Sequence, residues 1–216
     1  MRTMDEIKHI FKSIIVFLLE VEAKAILRKY TPKIIVVVGS VGKTSTKDAI
    51  YHAIAGKFFT RRSEKSFNSE LGIPLTIIDR DNAWFNPFIW LRTLLEGILL
   101  IVLRNPYPEW LVLEVGADRP GDIQKVAKWL SPDIIVVTHF PDVPVHVEFF
   151  SSPEEVIREK SSIIQSLKKE GLLVLNGDDK KVLGLREEYP QLKVVTYGMQ
   201  KTNKFAASNS ALIQRK

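Results

Sequence analysis

An apolar run that ends in a glycine-bearing turn constrains this chain more than any other feature of its sequence. Residues 34–38 are apolar without interruption, which predicts a strand that is buried on both faces of a sheet. The turn Gly39-Ser-Val-Gly42 follows, and residues 44–55 then have a helical pattern. A helix that begins directly after a strand and a glycine turn presents its first backbone N–H groups to an anion. The stretch therefore predicts a phosphate-binding loop in an α/β protein.

The residue types in this loop suggest separate roles toward a nucleotide. Lys43 can reach the terminal phosphates, and the hydroxyl of Thr44 or Ser45 can bind a phosphate-bridging Mg²⁺. The common pattern has four residues between its two glycines and would place the first one at Val37, so this is a shortened form of the loop. The predicted nucleotide contacts in the loop are Gly39, Ser40, Gly42, Lys43, Thr44 and Ser45.

The composition narrows the class of protein. The 216 residues contain no cysteine, which excludes a disulfide framework or a thiolate metal site and favours a cytoplasmic location. The formal net charge is +6, but residues 199–216 carry four basic residues and no acid, so the rest is close to balanced. No interleaving of basic and aromatic residues accompanies this tail, and we therefore do not expect nucleic-acid binding.

Further apolar segments alternate with helical patterns along the chain. This order predicts a doubly wound, mainly parallel sheet with helices on both faces. We expect an amphipathic helix at 1–31, a nucleotide-binding domain at 32–205 with an apolar helical insertion at 84–105, and a basic tail or truncation point at 206–216. The predicted strands after the first lie at 57–60, 110–115, 133–138, 172–175 and 193–197.

Two segments, residues 5–29 and 84–105, are apolar at helical spacing. Their longest uninterrupted apolar runs have six and seven residues, well short of the roughly 20 that a spanning helix needs. We expect both helices to pack on the domain, and contact with a membrane surface stays open as the alternative. Arg92 and Glu96 are one helical turn apart and are expected to pair.

Polar residues follow several of the predicted strands. Glu114 ends a buried strand, where a carboxylate is costly unless it meets a cation, and an acid at that position commonly holds the Mg²⁺ of a nucleotide. Asn68 and Glu70 in the loop after the second strand, and His146 after the fourth, are further candidates because ligands bind outside the carboxyl ends of such sheets. The alternative is that Asn68, Glu70 and His146 are ordinary loop residues that bind no ligand.

A GTPase is the competing interpretation of the loop. Residues 118–121 fit the pattern D-x-x-G, but the acid at the strand end is Glu114. The guanine-reading pattern Asn-Lys-x-Asp is also absent, since residues 176–179 do not match it. A GTPase is therefore disfavoured.

Read together, these residues resemble the central, ATP-binding domain of the Mur ligase family. The resemblance includes Gly39-Ser-Val-Gly-Lys-Thr, Glu114-Val-Gly-Ala and His146-Val-Glu-Phe-Phe-Ser. Six segments occur in the order of the family, which is far more specific than the phosphate loop alone. They are residues 39–46, 68–76, 114–123, 146–152, 160–163 and 176–179.

The resemblance implies an ATP-dependent ligase of peptidoglycan precursor synthesis. ATP would phosphorylate a substrate carboxylate to an acyl phosphate, which an amine then attacks to form an amide. The expected partners are ATP, Mg²⁺, a UDP-muramoyl-peptide-like carboxylate and an amine acceptor. Residues 116–123 are most similar to the branch of the family whose acceptor is a dipeptide.

The resemblance also implies the roles of individual residues. Lys160 matches a lysine that many members carry in a carbamoylated form that bridges to a second Mg²⁺. Besides the loop residues, Asn68 and Asn176 are predicted to contact the nucleotide. The predicted metal ligands are Thr44, Glu114 and His146. The residues predicted to act in catalysis are Lys43, His146 and Lys160.

The chain also departs from the family. Members carry a domain before this one that holds the UDP-sugar and a later domain that closes over the site, and the end of the central domain with its His-Asn segment is missing. We expect a sheet that is incomplete at its C-terminal end, in a fragment or a reduced relative whose missing domains come from a partner chain. The alternative function is a nucleotide-binding regulatory or scaffold module, associated with a membrane, without ligase activity.

Overall fold

Seven parallel strands form the centre of the molecule in the computed structural model. The structure describes residues 4–64, 70–83, 86–117, 119–141 and 149–207, so the predictions for Asn68 and His146 lie outside it. The strands follow the order β2-β3-β1-β4-β5-β6-β7. They are β1 (Lys33–Val38), β2 (Thr60–Arg62), β3 (Trp110–Glu114), β4 (Ile134–Val137), β5 (Leu172–Asn176), β6 (Lys193–Gly198) and β7 (Phe205–Ala206).

Helices provide the connections that parallel strands require. They are α1 (Met4–Tyr30), α2 (Lys43–Ile54), α3 (Gly72–Ile78), α4 (Pro87–Val102), α5 (Asp122–Ala127), α6 (Pro153–Ser161) and α7 (Lys180–Glu188), and a 3₁₀ helix (Ser162–Ser166) continues α6. The predicted doubly wound parallel α/β fold is confirmed. None of the described helices is long and apolar enough to cross a membrane.

Strand β1 lies between β3 and β4, and its register decides which residues meet at the carboxyl edge of the sheet. Val37 pairs with Glu114 of β3, and Val38 pairs with Val137 of β4. The residues that follow each strand therefore emerge side by side. This pairing brings the phosphate loop between the ends of β3 and β4.

The strands are apolar on both faces because helices cover both sides of the sheet. Val36 and Leu113 point into the larger core beneath α1, α3, α4 and α5, whereas Val37 and Val112 point toward α2. Successive residues of one strand thus enter opposite cores, as the alternation of side chains in a strand requires. The uninterrupted apolar run that predicted β1 has this origin.

The second strand was predicted three residues too early, at 57–60. The backbone N–H groups of Lys57 and Phe58 both donate to the carbonyl of Ile54, so these residues form the turn that follows α2. Pairing with β3 begins only at Thr60, opposite Trp110. The two-residue strand β7 was not predicted at all.

Helix α6 begins with a capped turn and changes its form at its C-terminal end. Ser152 caps α6 by accepting from the N–H of Glu155 at 3.2 Å, and regular α-helix ends at Ser161. The hydroxyls of Ser161 and Ser162 then donate to the carbonyls three residues earlier, which favours the tighter 3₁₀ turn.

The first turn of α5 is satisfied by a residue from another helix rather than by Asp122, the first residue of α5. The N-cap residue is Gly121, and the carboxylate of Asp122 instead accepts from the N–H of Arg119 at 2.9 Å. The buried carboxylate of Glu159 accepts from the N–H groups of Ile123 and Gln124. This contact fixes α6 against the segment that follows β3.

Helices α1 and α4 pack against each other on one side of the sheet. The carboxylate of Glu22 lies against Gly97, where any side chain beyond hydrogen would overlap it. Tyr30 donates to the carbonyl of Leu100 at 2.9 Å, so α1 also satisfies part of the C-terminal end of α4. Arg92 and Glu96 of α4 pair at 3.1 Å, as predicted. The division into a helix, a domain and a tail stays a prediction.

Glu22 makes the stability of this helix pair dependent on pH. Its side chain is buried, and its Oε2 atom has no hydrogen-bond partner among the described residues. Burial raises its pKa from 4.5 to about 7. The folded state therefore keeps a proton that the unfolded chain loses, and the free energy of unfolding falls as the pH rises from about 4.5 to about 7.

We predict that Glu22→Gln removes most of this slope, because glutamine carries no charge at any pH. Relative to the wild type, the variant gains about 2 to 3 kcal/mol in free energy of unfolding between pH 4.5 and pH 8. Urea unfolding at several pH values measures the effect. Glu20→Gln, at a half-buried position on the same helix, is the matched control and retains the slope; an unchanged slope in Glu22→Gln contradicts the prediction.

Candidate functional site

The phosphate loop connects β1 to α2 at the carboxyl edge of the sheet. Gly39 and Gly42 have φ values of +143° and +84°, in a region that side chains disfavour, which explains why glycine stands at both positions. Gly42 is the N-cap of α2, and no side chain caps the helix there. The first-turn amides of α2, together with the positive end of its dipole, are therefore directed toward an anion.

The end of β4 holds this loop in place. The N–H groups of Ser40 and Val41 donate to the carbonyl of His139 at 2.8 and 3.4 Å. The hydroxyl of Thr138 donates to the carbonyl of Val41 at 2.7 Å, and a Cβ atom on Gly39 would overlap that same hydroxyl. The loop thus has its shape from contacts with the neighbouring strand.

Glu114 stands at the end of β3, next to the first turn of α2. The hydroxyl of Thr44 donates to its Oε2 atom at 2.9 Å, and Glu114 is only 2% exposed. Its backbone N–H donates to the hydroxyl of Ser63, whose carbonyl in turn accepts from the buried ammonium of Lys47 at 2.7 Å. Two of the three predicted metal ligands, Thr44 and Glu114, therefore meet in the structure.

The donor set at this position fits Mg²⁺. Among the described residues no group of three or more His, Asp or Glu side chains could hold a metal ion. Mg²⁺ does not require such a group, since it is commonly bound by one or two protein oxygens together with phosphate oxygens and water. A carboxylate and a hydroxyl beside a phosphate loop meet that requirement.

Two ammonium groups approach the loop at Ser40. The Nζ atom of Lys43 donates to the carbonyl of Ser40 at 3.3 Å. The Nζ atom of Lys160, from the last turn of α6, donates to the hydroxyl of the same serine at 3.0 Å, and Lys160 is only 3% exposed. A residue 120 positions away in sequence therefore adds positive charge to the phosphate loop.

Other candidates have local partners. The side chain of Asn176 accepts from the N–H of Asp178 at 3.1 Å and so forms the turn after β5. Glu70 pairs with Lys12 and Lys125 at 3.3 and 3.4 Å. Ser45 lies exposed in the first turn of α2, where its position is compatible with the predicted role.

Asp179 is a site residue that the sequence did not reveal. One of its oxygens accepts from the N–H of Phe140 at 2.8 Å and lies 2.7 Å from Nδ1 of His139. The other accepts from the N–H groups of Lys181 and Val182 and caps α7. Asp179 therefore ties α7 to the strand end that holds the phosphate loop. Its place before a helical segment indicates a cap, but nothing in the sequence indicates the contact with His139.

We predict that Asp179→Ala weakens nucleotide binding, because the anchor of the phosphate loop loses its partner. The free energy of unfolding falls by about 2 kcal/mol, from the lost cap and the unpaired buried N–H of Phe140. The affinity for ADP falls about fivefold, which corresponds to about 1 kcal/mol. Chemical unfolding and calorimetric titration measure the two effects.

Asp178→Ala is the matched control for this prediction. Asp178 also accepts backbone N–H groups, from Met199 and Gln200, which lower the pKa of its carboxyl, but it has no described contact with the end of β4. The control loses stability and keeps its affinity for ADP. Equal losses of affinity in both variants would show that Asp179 does not act through the loop.

The chain resembles proteins of a known family in its sequence. The sequence profile of the Mur ligase middle domain matches residues 98–215, more than half of the chain. The UDP-N-acetylmuramoyl-tripeptide–D-alanyl-D-alanine ligase of Bacillus subtilis is 29% identical over 157 residues, which are 73% of this chain and 29% of that enzyme. The corresponding ligase of Mycobacterium leprae is 30% identical over 156 residues, 71% of this chain and 25% of the enzyme. The chain thus spans less than a third of the length of these curated relatives.

Solved structures support the same relationship. The MurF ligase of Thermotoga maritima, solved in complex with ADP, has a TM-score of 0.62 and 27% identity over 86% of this chain and 37% of its own. MurF from Acinetobacter baumannii has a TM-score of 0.64 over 84% of this chain and 34% of its own, and at 21% identity it supports the fold alone. The matched profile, together with these relatives, shows that the chain belongs to the Mur ligase family through its middle domain.

Proposed function

We propose that this chain supplies the ATP-binding domain of an ATP-dependent ligase that forms an amide bond in peptidoglycan precursor synthesis. The observation that carries the proposal is the convergence on one phosphate loop of the ammonium groups of Lys43 and Lys160 and the hydroxyl–carboxylate pair of Thr44 and Glu114. This arrangement suits the binding of a triphosphate with Mg²⁺. Membership in the Mur ligase family supplies the class of reaction.

The reaction must bring two anions together. The substrate carboxylate attacks the γ-phosphorus of ATP, the bond between the β,γ-bridging oxygen and that phosphorus breaks, and ADP leaves. An amine then attacks the carbonyl carbon of the acyl phosphate, inorganic phosphate departs, and the nitrogen loses a proton as the amide forms. Because negative charge accumulates on the transferring phosphoryl group, catalysis depends on cations and on positioning.

The residues of this chain have distinct roles in that scheme. The amides of the first turn of α2 bind the phosphates, and Lys43 neutralises charge on their terminal oxygens. Thr44 and Glu114 would hold Mg²⁺, which would supply charge neutralisation when bound. Lys160 positions Ser40. The carbamoylation of Lys160 for a second metal ion remains a proposal, and so do the roles of Asn68, His146 and Asn176.

The substrates are proposed from the relatives. The curated relatives are named as ligases of UDP-N-acetylmuramoyl-tripeptide with D-alanyl-D-alanine, and we extend that carboxylate and that dipeptide acceptor to this chain. Because the chain spans about a quarter to a third of each relative, further domains are expected to complete the substrate site. A cytoplasmic location accompanies the proposed use of ATP. No observation favours the regulatory-module alternative.

We predict that the chain binds ATP more tightly with Mg²⁺ than without it, and that two substitutions separate the causes. Lys43→Ala lowers the affinity at least about tenfold in both conditions, since an ammonium that contacts phosphate is worth about 1.5 to 3 kcal/mol. Glu114→Gln lowers the affinity for ATP mainly when Mg²⁺ is present, because the glutamine side chain keeps the contact with Thr44 but carries no charge. Calorimetric titration measures the affinity of both variants. Glu109→Gln, at an exposed position just before β3, is the matched control.

Equal affinity of the wild type and Lys43→Ala would contradict the proposed site. The class of reaction is tested separately by adding hydroxylamine, with ATP and UDP-muramoyl-tripeptide, to a complete ligase. Hydroxylamine intercepts an acyl phosphate as a stable hydroxamate, and the account expects this product from a complete ligase that contains this domain. Nucleotide binding without hydroxamate in that ligase would retain the site and reject the acyl phosphate.

A further inference from the structure

The outward faces of α1 and α4 carry large apolar side chains. We call this the outer apolar surface, and its most exposed members are Ile14 and Phe17 on α1 and Phe88, Leu91, Leu95 and Val102 on α4. Phe88 is 81% exposed and Val102 is 70% exposed. The two helices are neighbours in the fold, so their outward faces adjoin.

This surface is not the usual exterior of a helical layer. A surface helix normally turns its apolar stripe inward and its charges outward. In α4 the inward positions are Trp90, Thr93 and Gly97, whereas the outward stripe is apolar apart from Arg92. The exposed apolar area of the two helices is on the order of 1,000 Å², larger than the few hundred Å² that monomeric proteins usually show. An exposed apolar surface of this size marks a site of contact with a protein or a membrane.

The charges around the surface indicate what covers it. Within residues 10–30 and 86–104, the exposed and half-buried charged side chains are six cations and two acids. Both acids are already held by cations: Glu20 pairs with Lys24 at 2.5 Å, and Glu96 lies between Arg80 and Arg92. The cations are Lys12, Lys24, Arg28, Lys29, Arg92 and Arg104. Lys12 is paired with Glu70, which lies outside these two segments, so the rim retains a smaller excess of positive charge.

A positive rim distinguishes between two possible occupants. A second copy of the chain would bring the same excess of cations face to face, and the whole chain has a net charge of +6. Anionic lipid headgroups instead attract basic side chains next to an inserted apolar face, by about 1 kcal/mol for each residue near the surface. Arg92, which is 77% exposed within the apolar stripe, can extend its guanidinium to headgroup phosphates while its stem stays apolar.

The dimensions favour a helix that lies along the bilayer. Helix α4 has 16 residues and is about 24 Å long, less than the roughly 30 Å of the hydrocarbon core. The surface faces away from the sheet, whereas the phosphate loop lies at the carboxyl ends of the strands. Docking through this surface would leave the nucleotide site accessible.

We propose that the outer apolar surface docks on an anionic lipid bilayer, with its apolar side chains below the headgroups and its lysines and arginines at the level of the phosphates. The interaction is independent of ATP and of the proposed ligation. It places the site of this domain beside the membrane, with its helices lying in the interface rather than across it.

Cosedimentation of the full chain with vesicles tests the proposal. The wild type is expected to bind vesicles of phosphatidylcholine with phosphatidylglycerol, to bind pure phosphatidylcholine less, and to bind less at high salt. The variant that combines Phe17→Gln with Leu95→Gln lowers the partition coefficient at least about tenfold, because two apolar side chains no longer enter the bilayer. Both positions are exposed, so helical circular dichroism and thermal stability are expected to stay as in the wild type.

The matched control combines Leu183→Gln with Met199→Gln, which removes two exposed apolar side chains far from α1 and α4 and keeps vesicle binding. Vesicle binding that is unchanged in the Phe17/Leu95 variant would overturn the proposal, as would a wild type that binds no vesicles. Sedimentation velocity separates the causes of the second result. A dimer that this variant dissociates assigns the surface to a second copy, and a monomer assigns it to neither occupant.

Discussion

The hydrogen bond from the amide of Ser40 to the carbonyl of His139 is the contact on which the site depends. It ties the phosphate loop after β1 to the end of β4, and Thr138 and Asp179 reinforce the same connection from either side. The parallel register of β1 with β4 makes this contact possible, because the two chains leave the sheet at the same level. The loop therefore has its shape from the sheet, and a nucleotide would find its amides already oriented.

The same edge of the sheet collects the charges of the site. Glu114 ends β3, and its carboxylate accepts from the hydroxyl of Thr44. Its backbone N–H donates to the hydroxyl of Ser63, whose carbonyl accepts from the ammonium of Lys47. Lys160 arrives from α6, which Glu159 fixes against the first turn of α5. Each charged group is thus held by an element that is itself packed, which is what binding a polyphosphate in a defined orientation requires.

Features that depend on neighbouring residues could be predicted from the sequence, whereas features that depend on residues far apart in the chain could not. The parallel fold, the phosphate loop and the position of Glu114 are encoded in uninterrupted apolar runs and in the residues that end them, so local patterns revealed them. The start of β2 and the contact of Asp179 with His139 depend on partners 40 to 50 residues away, which no local pattern contains. Helix α4 is apolar on nearly every side, so its sequence could not indicate which face would remain outside.

The central claim is that the phosphate loop is preformed, and amide hydrogen exchange of the nucleotide-free chain tests it most directly. The account predicts that the Ser40 amide exchanges as slowly as the amides within β1, since its N–H donates at 2.8 Å to a carbonyl at the end of the neighbouring strand. Exchange of that amide as fast as in an exposed loop, with protection only after nucleotide is added, would contradict the account.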